Sequence, residues 1–129
     1  MIEGIDLVTL VVEDQEEALE FYVEKLGFEL HQDDDYGEDG RWIEIAPKES
    51  HSKITIKTPE SFDSEEAEHH RALLGTNPQI TYRVNNCDEV YQHLKINGVT
   101  FDDKPSTKPW GISVTARDPS GNPVVLTEF

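Results

Sequence analysis

The sequence is short of basic residues, of cysteine and of long apolar runs, and each shortage excludes a class of protein. Of its 129 residues, 27 are Asp or Glu and only 11 are Lys or Arg, so the net charge is −16. This charge repels phosphates and thereby excludes nucleic acids and anionic membrane surfaces as partners. No apolar run approaches the roughly 20 residues of a membrane-spanning helix. The single cysteine, Cys87, excludes an intramolecular disulfide and a cysteine zinc cluster.

The excess acid is concentrated in the first half of the chain. Residues 1–60 contain 17 acidic and 5 basic residues, with the densest runs at 13–17 and 33–35. Acids spread over many elements are more typical of a hydrated surface than of a cation site, and they suit an origin in a salt-rich habitat. The first 14 residues carry four acids and no base, which is unlike a signal peptide, so we expect a cytoplasmic protein.

Apolar periodicity predicts the same order of elements twice. Strands are expected at 5–12, 28–32, 41–46 and 53–57, and again at 79–84, 99–102, 112–117 and 124–129. Helices are expected after Asp14, at 64–74 and at 88–97, with a hairpin loop at 33–40. When the sequence is aligned with itself at an offset of 72 residues, Asp14 is matched with Asn86. A one-residue gap in the helix then matches Gly27 with Gly98. The chain is therefore predicted to be one α+β domain of two βαβββ modules, residues 1–58 and 78–129, joined by a helical connector at 59–77.

Motifs at both ends of the chain resemble a known superfamily. They are Val8-Thr9-Leu10-Val11-Val12-Glu13-Asp14, Phe21-Tyr22 and Lys25-Leu26-Gly27-Phe28 near the start, and Pro109-Trp110-Gly111 and Asp118-Pro119-Ser120-Gly121-Asn122 near the end. The first set is similar to the opening of a vicinal oxygen chelate domain, and the second to its closing module. This superfamily includes glyoxalase I, bleomycin resistance proteins and extradiol dioxygenases. The resemblance implies that the paired modules curve into a cup and that the protein forms a homodimer.

The resemblance also implies where a metal would be held. Members that use a divalent ion place His, Glu or Gln at four positions, which correspond here to Leu7, Thr55, Gln79 and Val125. Leu and Val offer no lone pair, Thr is a poor ligand, and Gln79 alone cannot hold a catalytic ion. His69 and His70 are no replacement, because adjacent helical residues point roughly 100° apart. We therefore expect no metal and no other cofactor.

Strand alternation predicts which polar side chains line the cup. If Leu7 and Gln79 face inward, the opposite faces of the same strands are almost purely apolar, as packing against helices requires. Trp42 shares a face with Glu44, and Trp110 lies in a turn that borders the cavity in similar proteins. The predicted ligand-binding residues are Thr9, Trp42, Thr55, Lys57, Gln79, Thr81, Arg83 and Trp110. The alternative is a half-exposed sheet whose charged side chains reach solvent, with both tryptophans as packing anchors.

The sequence is compatible with three functions. The first is a metal-free module of the bleomycin resistance kind, which binds a small anionic or carbonyl-bearing molecule; Arg83 favours this ligand chemistry. The second is a divalent-metal-dependent lyase or dioxygenase, which Leu7 and Val125 count against. The third is a metal-independent enzyme that uses an acid–base residue, for which Glu44 is the candidate. Nothing in the sequence separates the first function from the third.

Overall fold

A computed structural model describes all residues, 1–129, and the chain divides into two compact units, Met1–Leu74 and Gly75–Phe129. The first unit contains β1 (Leu7–Val11), α1 (Gln15–Leu19), β2 (Glu29–Asp35), β3 (Arg41–Ala46), β4 (Lys53–Lys57) and α2 (Ser64–Ala72). The second contains β5 (Ile80–Arg83), α3 (Cys87–Ile96), β6 (Thr100–Phe101), β7 (Ser106–Lys108), β8 (Gly111–Arg117) and β9 (Pro123–Glu128). The predicted α+β fold is confirmed. None of the helices combines the length and apolar character needed to cross a membrane.

The first unit is a four-stranded sheet in the order β1-β4-β3-β2, in which only the β1–β4 pair is parallel. Alternate residues of β3 and β4, including Ile43, Ile45 and Ile56, are fully or almost fully buried. With the buried side chains of Phe21 and Tyr22 they form the core of this unit, which leaves the opposite face of the sheet to polar side chains.

The first helix begins at a side-chain cap and then widens. Asp14 Oδ1 accepts a hydrogen bond from the Glu17 N–H at 3.0 Å, which satisfies one of the free donors of the first turn. The sequence predicts a single regular helix up to Leu26, but residues Glu20–Lys25 form a π-helix, with the Leu26 N–H bonded to the Phe21 carbonyl. This wider winding accompanies the burial of two consecutive aromatic residues, Phe21 and Tyr22.

The prediction of a hairpin loop over 33–40 is wrong for its first three residues. Asp33 and its two acidic neighbours continue strand β2 and pair with β3. Propensity disfavours aspartate in strands, but β2 is an edge strand and these side chains are exposed to water. Arg41 also donates to both carboxylate oxygens of Asp33 at 2.8 Å and contacts Glu16, which lowers the repulsion among the acids.

The second unit is a sheet in the order β5-β9-β8-β6, with the short strand β7 also paired to β8. Strand β7 was not predicted, because residues 106–108 are polar and exposed and have no periodicity. A buried polar network joins the start of this unit to the β8–β9 turn. Asn122 Oδ1 accepts from the Gly75 N–H at 2.9 Å and from Asn77 Nδ2 at 2.7 Å, while Asp118 Oδ1 accepts from the Asn122 N–H at 2.8 Å.

Candidate functional site

The polar face of the first sheet carries all five of the site residues predicted in the first module. In the strand register Thr55 lies between Thr9 of β1 and Glu44 of β3, so the three side chains share a face. Trp42 and Lys57 lie two residues from Glu44 and Thr55 along their strands and therefore belong to the same face. We call Trp42, Glu44, Lys53, Thr55 and Lys57 the Trp42 cluster.

Glu44 is the fixed anion of the Trp42 cluster. Its Oε2 accepts a hydrogen bond from the Trp42 indole N–H at 2.6 Å, and its Oε1 lies 3.3 Å from the Lys53 ammonium. Its side chain is only 13% exposed. The hydrogen bond from Trp42 lowers the pKa of the Glu44 carboxyl most, with smaller contributions from Lys53 and from His31, against the opposing effect of burial. Glu44 is therefore an ionised carboxylate with both oxygens engaged.

Lys57 lies between two aromatic rings. Its ammonium nitrogen is 5.4 Å from the centroid of the Trp42 ring and 5.2 Å from that of Phe62, distances at which an ammonium is attracted to the ring faces. The Phe62 ring in turn stacks on the His70 ring, with centroids 3.7 Å apart. Lys57 is therefore held by aromatic rings, whereas Lys53 is held by the carboxylate of Glu44.

Thr55 differs from its neighbours on this face, because its hydroxyl group is buried without a hydrogen bond. It is 1% exposed, yet its hydroxyl oxygen has no hydrogen-bond partner. A buried polar group without a partner costs roughly 1–3 kcal/mol, so each such group needs an explanation. One explanation is that the partner belongs to a bound molecule.

Sequence reasoning missed Phe62 and His70. Both lie in the segment assigned to the connector, and no pattern in the sequence indicates that this segment returns to the end of β4. The sequence offered one signal, an aromatic residue two positions before the helix predicted at 64–74. In the structure Asp63 caps this helix, and its Oδ1 accepts from the Glu66 N–H at 3.1 Å. His70 Nδ1 is the second buried atom without a hydrogen-bond partner.

The second unit brings together only some of its predicted residues. Thr81 pairs with Val125 and Arg83 with Thr127, so these side chains share one face of β5 and β9. The Arg83 guanidinium carbon lies 4.6 Å from the centroid of the Phe129 ring. Gln79 precedes β5 and is exposed, although it was predicted within the strand. Trp110 lies in the β7–β8 turn and is 61% exposed.

The residues at the four implied metal positions do not fit a divalent ion. In the first unit Leu7 has no donor atom, and the neighbouring carboxylate of Glu44 is already bound by Trp42 and by the Lys53 ammonium. In the second unit Val125 has no donor atom and pairs with Thr81. No group of three or more His, Cys, Asp or Glu side chains in the structure is placed to hold a metal ion.

The chain is similar over nearly its whole length to several known proteins. The uncharacterized protein YetH of Bacillus subtilis is 31% identical over 132 residues, covering 99% of this chain and 100% of YetH. The crystal structure of UcmS2 is 32% identical, with a TM-score of 0.87 and complete coverage of both chains. TnmS3, an antibiotic binding protein from Streptomyces sp. CB03234, is 30% identical with a TM-score of 0.78, covering 98% of this chain and 96% of TnmS3.

The family assignment agrees with the motifs at both ends of the chain. The model of the Glyoxalase/Bleomycin resistance protein/Dioxygenase superfamily matches residues 4–126, nearly the whole sequence. The match includes both units and both sets of motifs from which the resemblance was inferred. The chain therefore belongs to the Glyoxalase/Bleomycin resistance protein/Dioxygenase superfamily.

Proposed function

We propose that this protein binds a small organic molecule non-covalently and without a metal ion, and that the Trp42 cluster is part of its binding surface. The observation that carries the proposal is the buried Thr55 hydroxyl without a partner. It lies on a face that also offers an indole ring, a carboxylate and two ammonium groups. Small-molecule sites combine apolar surface with a few placed polar groups in this way.

Glu44 favours binding over acid–base catalysis. A general base works best when its pKa lies near the working pH. The pKa of Glu44 is instead lowered, and both of its oxygens accept from neighbouring donors. Its contacts suit it to orienting the Trp42 ring and Lys53, which is a role in positioning.

The relatives support the same function. TnmS3 is an antibiotic binding protein, and its similarity extends over nearly the whole of both chains. We therefore infer that the ligand of this protein is also a small molecule of the antibiotic kind. In the second unit Arg83 stays our candidate for binding a carboxylate or carbonyl group of a ligand, because its exposed guanidinium makes no ion pair in the structure.

Metal content tests the metal-free part of this proposal. Elemental analysis of protein purified without chelator should find far less than one zinc, nickel, manganese or iron per chain. A sample dialysed against a chelator should have the same melting temperature as the untreated sample. Stoichiometric metal that is lost on chelation, together with a fall in melting temperature, would contradict the proposal and favour a metalloenzyme.

Ligand binding tests the rest. Comparison with the Trp110→Phe variant, whose only tryptophan is Trp42, identifies the indole N–H resonance of Trp42 in the unchanged protein. This resonance and the indole emission report on the cluster. A panel of small-molecule antibiotics should include compounds that change these signals saturably and are recovered chemically unchanged. Conversion of a compound during incubation would show an enzyme, and the absence of any saturable response would count against the Trp42 cluster as a binding surface.

A further inference from the structure

Lys57 is a half-buried cation that has no carboxylate partner in a protein with 27 acidic residues. The strand register explains how this arises. Glu44 lies opposite Thr55, and its second oxygen pairs with Lys53 at the other end of the strand. Lys57 is left beside Trp42 and Phe62, whose rings attract an ammonium but do not neutralise it.

The neighbours of Lys57 complete a site for an anion. Thr55 is two residues away on the same face of β4, at about 6.6 Å along the strand, and its buried hydroxyl has no partner. An ammonium and a hydroxyl at this spacing can both donate to the oxygens of one small oxyanion. The Trp42 and Phe62 rings flank the ammonium, so an apolar group carrying the anion would contact them.

We propose that Lys57, Thr55 and Trp42 form a subsite for a planar organic anion, in which Lys57 and Thr55 bind the oxyanion and the rings contact its planar body. This inference rests on the proposed function and specifies the ligand chemistry of the same surface. The Phe62 ring also holds Lys57 in place, since it lies 5.2 Å from the ammonium nitrogen and is itself stacked on His70.

The overall charge makes this proposal testable with simple probes. A protein of net charge −16 attracts cations and repels anions at long range, so bulk electrostatics alone ranks a cation above a neutral molecule and an anion last. A local subsite at Lys57 reverses that order. Three probes share one ring system and differ in charge: 2-naphthoate, 2-naphthamide and 2-naphthylmethylammonium.

The experiment uses the unchanged full chain, in which the Trp42 indole N–H resonance is identified by comparison with the Trp110→Phe variant, whose only tryptophan is Trp42. Titrations in 0.15 M KCl at pH 7 that follow this resonance should give the lowest dissociation constant for naphthoate. The dissociation constants for the amide and for the ammonium probe should be higher. Lys57→Met keeps an apolar stem between the rings and should weaken naphthoate binding about tenfold or more while leaving amide binding within twofold. Thr55→Val should weaken naphthoate binding about threefold or more.

Lys95→Met is the matched control, because Lys95 also lies 5.4 Å from an aromatic centroid, that of Tyr91, but on helix α3 of the second unit. It should leave all three affinities unchanged. If the acid and the amide bind equally and Lys57→Met changes neither, the anion subsite is wrong while small-molecule binding stands. If none of the probes moves the Trp42 resonance, both the subsite and the proposed binding surface are contradicted.

Discussion

Two buried threonines differ in whether their hydroxyl groups have a partner. Thr55 and Thr127 are each 1% exposed, but the Thr127 hydroxyl lies 3.1 Å from the Ser113 hydroxyl, whereas that of Thr55 has none. Valine has nearly the shape of threonine without the hydroxyl. We predict that Thr127→Val lowers the free energy of unfolding by about 1 kcal/mol, whereas Thr55→Val leaves it unchanged or raises it by about 1 kcal/mol.

Urea denaturation of the two variants measures this difference directly. The outcome would connect stability to function, because a substitution that stabilises the protein and weakens ligand binding marks a residue kept for binding. An equal loss of stability in both variants would mean that the Thr55 hydroxyl is satisfied within the protein and needs no partner from a ligand.

The lowered pKa of Glu44 predicts a pH-dependent contribution to stability. A carboxyl whose pKa is lower in the folded state than in the unfolded state stabilises the fold above the unfolded value of about 4.3. That contribution is lost as the pH falls through the folded value. Glu44→Gln should therefore lower the free energy of unfolding by about 1 kcal/mol at pH 7 and by less at pH 3.

Urea titrations of wild type and variant at both pH values provide the measurement. Glu38→Gln is a suitable control, because Glu38 is exposed and forms no ion pair in the structure, so this substitution should change the free energy of unfolding little. A cost of Glu44→Gln that stays the same at pH 3 would mean that Glu44 stabilises the protein by packing and not by its charge.

At the residue scale, the period of a strand was enough to group Trp42, Glu44 and Lys57 on one face. Their partners were not predictable. Whether Glu44 pairs with Lys53 or with Lys57 depends on the register of β3 against β4. Alternation does not determine this register, because sliding one strand by two residues keeps the same side chains on the same face. The position of Phe62 depends on the path of the connector, which has no periodic pattern.

At the scale of elements, Gly111 is required by the backbone that faces it. It begins β8 with φ of +147°, and a Cβ built there would overlap the carbonyl oxygen of Glu128 on β9. Gly27, at the end of the first helix, has φ of +80° with open space where a Cβ would lie. We predict that Gly111→Ala lowers the free energy of unfolding by about 2–4 kcal/mol, and Gly27→Ala by about 1 kcal/mol.

Thermal or urea unfolding of the two variants tests this prediction, with Gly27→Ala as the control for backbone strain alone. Equal losses of unfolding free energy in the two variants would show that β8 and β9 can move apart at Gly111 without destabilising the protein.

The strand boundaries that the sequence did not predict depend on the neighbouring strands. The extension of β2 through Asp35 is permitted by its place at a sheet edge, and β7 depends on its pairing with β8.

At the scale of the whole molecule, the two edges of the first sheet differ in a way that bears on the predicted homodimer. Strand β2 carries three consecutive acids, which discourage pairing with another chain. Strand β1 carries Val8, which is 43% exposed although alternation predicts that it packs against the helices, and Ile5 just before it is 74% exposed. We predict a homodimer whose contact includes the β1 edge.

Light scattering in 1 M KCl should give about twice the 14.7 kDa chain mass. Val8→Lys should shift the mass toward that of the monomer, whereas Leu30→Lys on β2, at a side chain that is 47% exposed, should not. A wild-type mass near 14.7 kDa would contradict the dimer. A dimer that Val8→Lys leaves intact would place the contact elsewhere.

The charge of the molecule is unevenly divided, and this sets its response to salt. Residues 1–74 hold 21 acidic and 6 basic residues, a net charge of −15, so the first unit carries nearly all of the total of −16. Repulsion among these acids opposes the compact state, and salt shortens its range to about 10 Å at 0.1 M and about 3 Å at 1 M. The melting temperature should therefore rise by about 5 °C or more between dilute buffer and 1 M KCl.

The shape of the salt dependence separates screening from a general salting-out effect. Screening should give a steep rise at low salt that levels off once the range of repulsion is shorter than the spacing of the acids. Exclusion of salt from apolar surface would instead raise the melting temperature steadily up to molar concentrations. A variant with Asp34 and Asp35 changed to Asn should show a smaller rise at low salt, because it removes two of these charges and keeps the Asp33–Arg41 ion pair. A melting temperature that is flat or falls with KCl would contradict both the repulsion and the inference of a salt-rich habitat.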